Sequence, residues 1–412
     1  MTKNKSHSYR HYGWTILLIT AIVSMSINIT LPAYAAETIS KLHSAAWSTP
    51  LFAASTYNPD SSVVYSVKVI PSKALVYVKS SHSTNYTSNK STDTFQAYSA
   101  NDGKLQWSYN DLGESGDLGD TLYTNDGTVY FCNLYADGHY WLTSLHSSGK
   151  PNWKIKLPKL ANAFPYTANL MKDGSLLVAV TIPTDSAGNV KSMLKRYDRN
   201  GKLLQQQTIP AYVMSASGNR IIVDTSRYHN NQTSLQHAKF EAYGLDLKRL
   251  YSHSSLLQFD RYDDQIVTLD DGTVFIGTYN KVAAGNMLFK FDAKGKLIWK
   301  HKVADDYRIQ STGNGYILYE NRTFKLYTAT STKPSAIVTL KGTPADYTWI
   351  VRTLDGNVMV NMLDRTYILN PATLSIVEAW YRTPADAMFD YANDAIYTDE
   401  NKGILHKYVI SK

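Results

Sequence analysis

Cysteine is almost absent from this chain: Cys132 is the one thiol in 412 residues. That excludes an internal disulfide and any metal centre built from clustered thiolates. No stretch sustains an apolar repeat of 3.6 residues, so helices should be scarce. The 11 histidines form no cluster suited to zinc, and no metal is expected. Neither a Gly-x-Ser-x-Gly elbow nor a phosphate-binding glycine loop occurs, which leaves hydrolase and nucleotide chemistry without support. A basic stripe is missing too, so nucleic acid is not expected as a partner.

What is present is apolar and aromatic. Hydrophobic residues make up 43% and aromatics 12%, with 31 tyrosines, which rules out a disordered chain. Lys and Arg number 42 against 34 Asp and Glu. Residues 1–35 read as a secretory leader. Lys3, Lys5 and Arg10 precede an apolar run from Thr15 to Leu31. Pro32 breaks it, and Ala33-Tyr34-Ala35 fits a peptidase site before Ala36. A retained anchor is the alternative, although the run is short for a span of about 20 residues. Cleavage would remove three positive charges and leave +5, a modest excess that suits an anionic cell wall. A long leader with so little cysteine suits a bacterial exoprotein, free of the membrane after cleavage and monomeric. Cys132, in the strand-like run from Thr128 to Asn133, is expected to be a buried, inert thiol.

One pattern repeats through the remainder. A first turn recurs at Asp126-Gly127, Asp173-Gly174, Ser217-Gly218, Asp271-Gly272, Asn314-Gly315 and Asp355-Gly356, with the glycines 47, 44, 54, 43 and 41 residues apart. Weaker copies at Lys73-Ala74 and Asp394-Ala395 bring the phases to eight. A second turn keeps step with it, at Asn101-Asp102-Gly103, Ser148-Gly149, Asn200-Gly201, Asp246 and Lys294-Gly295, with degenerate copies from Tyr327 to Lys333 and from Leu369 to Ser375. Glycine after Asp or Asn suits the positive φ of tight hairpins. Two hairpin signals per period of roughly 40–50 residues mean four short antiparallel strands per unit, which is a propeller blade. The expected fold is all-β: an eight-bladed β-propeller over 64–412. Residues 385–412 supply only three strands, so a segment within 36–63, near Trp47, should close the ring by adding the fourth.

Ala100-Asn-Asp-Gly-Lys-Leu-Gln-Trp107, Ser148-Gly-Lys-Pro-Asn-Trp153 and Asp292-Ala-Lys-Gly-Lys-Leu-Ile-Trp299 carry a resemblance to the pyrroloquinoline-quinone-like propeller repeats over nearly all of the mature length. The resemblance implies that Trp107, Trp153 and Trp299 stack on the neighbouring blade, mostly buried. Trp380 follows its turn two positions late. Blades three, four and six lack the tryptophan and are expected to rely on other apolar contacts. Quinone enzymes of the family use a vicinal cysteine pair, which one cysteine cannot supply, so no cofactor is expected.

Two further groups were weighed as sites. Asp111, Glu114, Asp117 and Asp120 form a glycine-rich acidic stretch that could bind calcium, though the spacing is not that of an EF-hand and solvation is the plainer reading. Residues entering the innermost strands are Tyr166, Tyr212, Arg261, Tyr262, Tyr307, Arg308, Tyr347, Trp349, Phe389 and Tyr391. Of these, Arg261, Tyr262, Tyr307, Arg308, Tyr347 and Trp349 are the candidate ligand-binding set. Rings would stack on sugars and guanidinium groups would pair with anions, against the alternative that these side chains pack between blades. The functional expectation is a secreted binding module whose partner is an extracellular protein or cell-wall glycan. The alternative is an extracellular enzyme acting on a glycan or quinone-linked substrate at the channel mouth; paired carboxylates for glycoside cleavage converge only in space.

Overall fold

The computed structural model describes residues 44–52, 62–83, 91–112, 121–135, 137–185, 189–225, 236–259, 261–280, 285–342, 349–381, 389–399 and 403–410. The leader, most of the acidic stretch and Tyr347 lie outside the described residues. Among the described residues the chain forms 32 strands and a single helical turn, Pro71–Lys73. The strands make eight separate four-stranded antiparallel sheets. Consecutive strands pair in each of blades one to seven, from Ser62–Ile70, Leu75–Ser83, Ser91–Ser99 and Leu105–Tyr109 in blade one to Trp349–Arg352, Val358–Asn361, Arg365–Leu369 and Ile376–Tyr381 in blade seven. The protein is an eight-bladed β-propeller.

The eighth blade closes the ring as its short tail requires. Phe389–Ala392, Ala395–Thr398 and Ile404–Val409 are joined by Trp47–Pro50 as the outermost strand, with Trp47 opposite Lys407 and Pro50 opposite Ile404. The N-terminal strand thus pairs an edge that would otherwise be exposed.

Alternation within the strands puts apolar residues on both faces of each blade, and the core lies in the seams. Ile317, Phe324 and Leu326 of blade six, for example, meet Val358, Val360 and Tyr367 of blade seven. Cys132 is buried in the seam between blades two and three, and burial pushes its thiol up to about 12, as expected for an inert sulfur.

The recurring glycine of the second turn has a steric reason. Trp107 of blade one lies over Gly149 of blade two, where an added Cβ would sit 2.5 Å from the ring, and its indole N–H donates to Ser147 O at 2.8 Å. Trp153 lies over Gly201 and donates to Arg199 O at 2.8 Å. Trp47 lies over Gly103 and donates to Ala100 O at 3.3 Å, so the closing strand uses the same device. Tyr251 packs on Gly295 in the same way. The rings are mostly but not fully buried, because their outer edges stay at the rim of the disc. Trp299 differs, since blade six has no glycine in its second turn. Its ring leans edge-on against Phe275 at 6.0 Å and packs beside Tyr327 and Ala329.

Seams without a ring have other locks. In blade three, Arg196 donates to Gln205 Oε1 at 3.1 Å and to Leu245 O of blade four at 2.7 Å, and it pairs with Asp173. That seam is therefore tied by a guanidinium as well as by apolar contacts, a correction to the purely apolar expectation. Cations also reinforce seams that do carry a ring: Lys407 beside Trp47 and Lys290 beside Trp299 donate to Ala100 O and Ala329 O. Trp380 is buried and stacks on Tyr391 of blade eight at 6.1 Å, two residues beyond the turn-docking position held by Glu378.

Two substitutions test this lock. Gly149→Ala puts a methyl into the Trp107 ring at a φ of +79°, and should cost about 1–3 kcal/mol, the range for overpacking. Trp47→Ala should cost about 3 kcal/mol, the low end for tryptophan truncation, because the ring is not fully buried. Deletion of 36–55 should lower the melting temperature further. Urea midpoints that stay at the wild-type value would show that the rings do not hold the seams.

Candidate functional site

The hairpin turns and the longer connections open on opposite faces of the disc. The tight turns fall on one side, two in each of blades one to seven and one in blade eight, whose outer strand comes from the N-terminus. The other side receives the connections between second and third strands and those between blades, including the longest, from Tyr109 to Leu122 and from Asp224 to Gln236. Among the described residues four exposed aromatics stand toward this loop face, Tyr65 at a bulge within its strand and Phe164, Tyr212 and Tyr381 at strand ends or connections, at 43%, 43%, 38% and 60% exposure. Tyr65 is exposed because the chain bulges between Val64 and Ser66, which adds one residue to the innermost strand.

The six candidate binding residues fare differently. Arg261 and Tyr262 begin the innermost strand of blade five, opposite Tyr279 and Thr278. Trp349 begins that of blade seven, opposite Asn361. All three backbones are placed at the loop face, and their side chains lie outside the described residues. Tyr307 is fully buried between blades five and six, with its hydroxyl against Gly277, so it presents no ring to the channel mouth. Arg308 is half-buried and turns Nη1 back to its neighbour's carbonyl, Tyr307 O, at 2.7 Å. Tyr166 and Tyr391 are buried as well, with Tyr166 donating to Pro158 O at 2.9 Å. Asp111, at the edge of the acidic stretch, accepts from Lys154 Nζ at 2.7 Å.

The structure also assembles a polar group that the sequence reading missed. It lies on the inner strands where blades eight, one and two meet. Asp390, 3% exposed, faces Lys68 at 3.3 Å and accepts from Val69 N–H at 2.8 Å. Ser66 Oγ and the Tyr123 hydroxyl are 3.1 Å apart. Lys79, opposite Ser66 and 4% exposed, donates to Thr121 Oγ1 at 3.2 Å. Asp93, 2% exposed, lies on the next strand opposite Ser81. Charged residues inside apolar strands, as in Val67-Lys68-Val69 and Phe389-Asp390-Tyr391, were the available signal.

Burial dominates the electrostatics of this group. Desolvation raises the Asp390 carboxyl above its ordinary range, against the Lys68 charge and the backbone N–H donors, which pull it down. Tyr123 is pushed up to about 12, first by burial, with Ser66 and Thr121 partly offsetting. Chemically the group can hold a proton and tie blade eight to blade one. Among the described residues no cluster of His, Cys, Asp or Glu is placed to hold a metal ion.

No protein-family model matches the chain, and no curated protein matches it. Among solved structures it is similar to Sqt1 of Saccharomyces cerevisiae, with a TM-score of 0.52 at 12% identity over 90% of this chain and 100% of that one. BamB from Moraxella catarrhalis gives 0.46 at 12% identity, covering 85% of this chain and 98% of that one. The C-terminal WD40 domain of Sif2 gives 0.46 at 10%, covering 91% and 98%. The likeness to Sqt1 shows the fold alone, and scores at the level of the other two support no further argument.

The Asp390 environment sets a pH dependence. A carboxyl whose folded pKa is raised binds its proton more tightly in the native state. Its contribution to stability is fully present below the unfolded value and is lost as pH rises through the native one. Asp390→Asn removes this titration and keeps an acceptor for Val69 N–H. Denaturation from pH 3 to 7 should therefore show the variant gaining on the wild type as pH increases. Parallel stability curves would overturn the assignment.

Proposed function

We propose that this protein is a secreted, non-catalytic binding module that engages an extracellular protein or a cell-wall glycan through its loop face. The observation that carries the reading is the segregation of the disc. Short, hydrogen-bonded turns occupy one face, while the long connections and the exposed Tyr65, Phe164, Tyr212 and Tyr381 occupy the other. Exposed aromatics on a rigid scaffold supply contact area at low entropic cost, the chemistry of sugar stacking and of protein hot spots. Arg261, Arg308 and Trp349 enter from the same side and would add pairing and stacking at the mouth. Secretion rests on residues 1–35, and the modest positive balance of the mature chain favours retention by an anionic wall.

The test uses the mature chain from Ala36. It should appear in the medium with Ala36 as its first residue, and it should bind purified cell wall or one of a panel of wall glycans and surface proteins. Tyr212→Ala with Tyr381→Ala should weaken that binding about tenfold, as loss of hot-spot rings does, with an unchanged melting temperature. Arg308→Ala and Trp349→Ala should weaken it as well. Binding unaffected by all four changes would remove the loop face from the reading. Turnover of a polysaccharide or a quinone dye by the purified protein would defeat the non-catalytic claim.

A further inference from the structure

The seam between blades six and seven departs from the locked pattern and leaves a cleft. In blade one, Tyr77, Ala97 and Trp107 form a row across three strands, and Trp107 supplies the ring that docks on the next blade. The corresponding row in blade six is Ile317, Leu326 and Ala336. A methyl stands where five other seams carry an aromatic ring, from Trp47, Trp107, Trp153, Tyr251 and Trp299. The turn that should receive the ring is altered in step: it bends with Leu374 N–H on Asn370 O at 2.9 Å, as the blade-one turn bends with Gly103 N–H on Ser99 O at 2.9 Å. Leu374 thus takes the position of Gly103, at a φ of +57°, and packs 2% exposed in a cluster with Leu326 and Val338. A leucine of blade seven fills part of the slot that blade six leaves vacant.

The rest of the slot is open. A cleft of about 280 Å³ is lined by Leu326 and Ser335 of blade six, by Gly315 and Tyr327 beside them, and by Pro371 and Ala372 of blade seven. Leu326 is the cross-strand partner of Ala336, and Ser335 is its chain neighbour. Pro371 follows Asn370 as Ala100 follows Ser99, and Ala100 O is the acceptor for the Trp47 indole N–H at 3.3 Å. The cleft therefore offers an apolar wall, a backbone carbonyl at the position that receives an indole N–H elsewhere in the ring, and room near the lower end of small-ligand pockets, which run from roughly 300 Å³.

We propose that this cleft binds an indole ring, presented as an exposed tryptophan side chain of a partner peptide. The protein shows three times how its own seam holds such a ring, and here the outer strand of blade six presents none. The site lies on the turn face, opposite the proposed partner surface, and each can fail without the other.

The experiment is amide-shift NMR of the labelled mature chain with N-acetyl-tryptophanamide. Saturable shifts should map to Ser335, Leu326 and Ala372, and N-acetyl-cyclohexylalaninamide should shift them at least tenfold more weakly. Ala336→Trp combined with Leu374→Gly restores the internal ring and should abolish binding while keeping or raising the melting temperature. Ala372→Arg changes only an exposed turn residue and should also block binding, which keeps the test valid if the double variant fails to fold. Shifts absent from the cleft, equal response to the cyclohexyl compound, or undiminished binding by Ala372→Arg would each overturn the proposal.

Discussion

Four of the eight seams of this propeller are set by an aromatic ring meeting a position without a side chain. Trp47, Trp107, Trp153 and Tyr251 each project from one blade onto a glycine of the next, close enough that a Cβ would collide. The contact is local in space but joins residues of successive blades, so it sets the spacing between sheets that share no ladder hydrogen bonds. It also explains why the second turn must run in step with the first. The glycine has to arrive where the preceding indole ends, and the indole N–H needs a turn carbonyl that no strand has consumed. Where the ring is missing the glycine is missing as well. Leu247 follows the blade that offers Gln205, and Leu374 follows the blade that offers Ala336; both leucines hold a positive φ that costs about 1 kcal/mol or more, which their burial offsets.

Closure adds a second constraint. A circular array has no natural beginning, so the last blade must find its outer strand at the other end of the chain. Trp47 serves here both as a ladder partner for Lys407 and as a docking ring for blade one. On the inner side the same junction is held by Asp390, which reaches Lys68 and Val69 N–H across the seam. A buried charge is a costly fastener, since removing water from the carboxylate opposes ionisation even beside a lysine. Its value lies in direction: besides its neighbour Tyr391 N–H, the carboxylate meets Lys68 and Val69 N–H of blade one, whereas apolar contacts would tolerate several registers.

The sequence made the frame legible because a propeller is written in period. Turn glycines spaced by 41 to 54 residues announced eight blades, the incomplete tail announced the closure, and Trp107 and Trp153 announced their own seams. What resisted reading was whatever depends on the partner across a seam. Tyr307 was placed at the channel mouth because it precedes an innermost strand, yet its ring is fully buried against blade five, for which the small Gly277 makes room. Arg196 was unremarkable in sequence, and only the fold shows it bridging Gln205 to Leu245 O. Lys68 and Asp390 are over 300 residues apart in the chain, so no local pattern could join them.

The seams are therefore unequal, and the inequality has a physical consequence. A blade with its own ring covers the turn glycine of its neighbour. Of the blades without the ring, blade three is tied by Arg196, blade six is filled by Leu374 from the far side, and blade seven carries Glu378 at the ring position. The first places a guanidinium on the turn carbonyl that a foreign donor would meet. The second does not, because a leucine brings no donor. Of the ringless seams, the one repaired by leucine alone keeps both an apolar wall and a neighbouring carbonyl at the surface. It is also the seam where the described cleft lies. In a fold whose stability is distributed over nearest neighbours, a single under-filled seam can persist without unlocking the rest. That makes such a position available for recognition while the remaining seams hold the disc rigid.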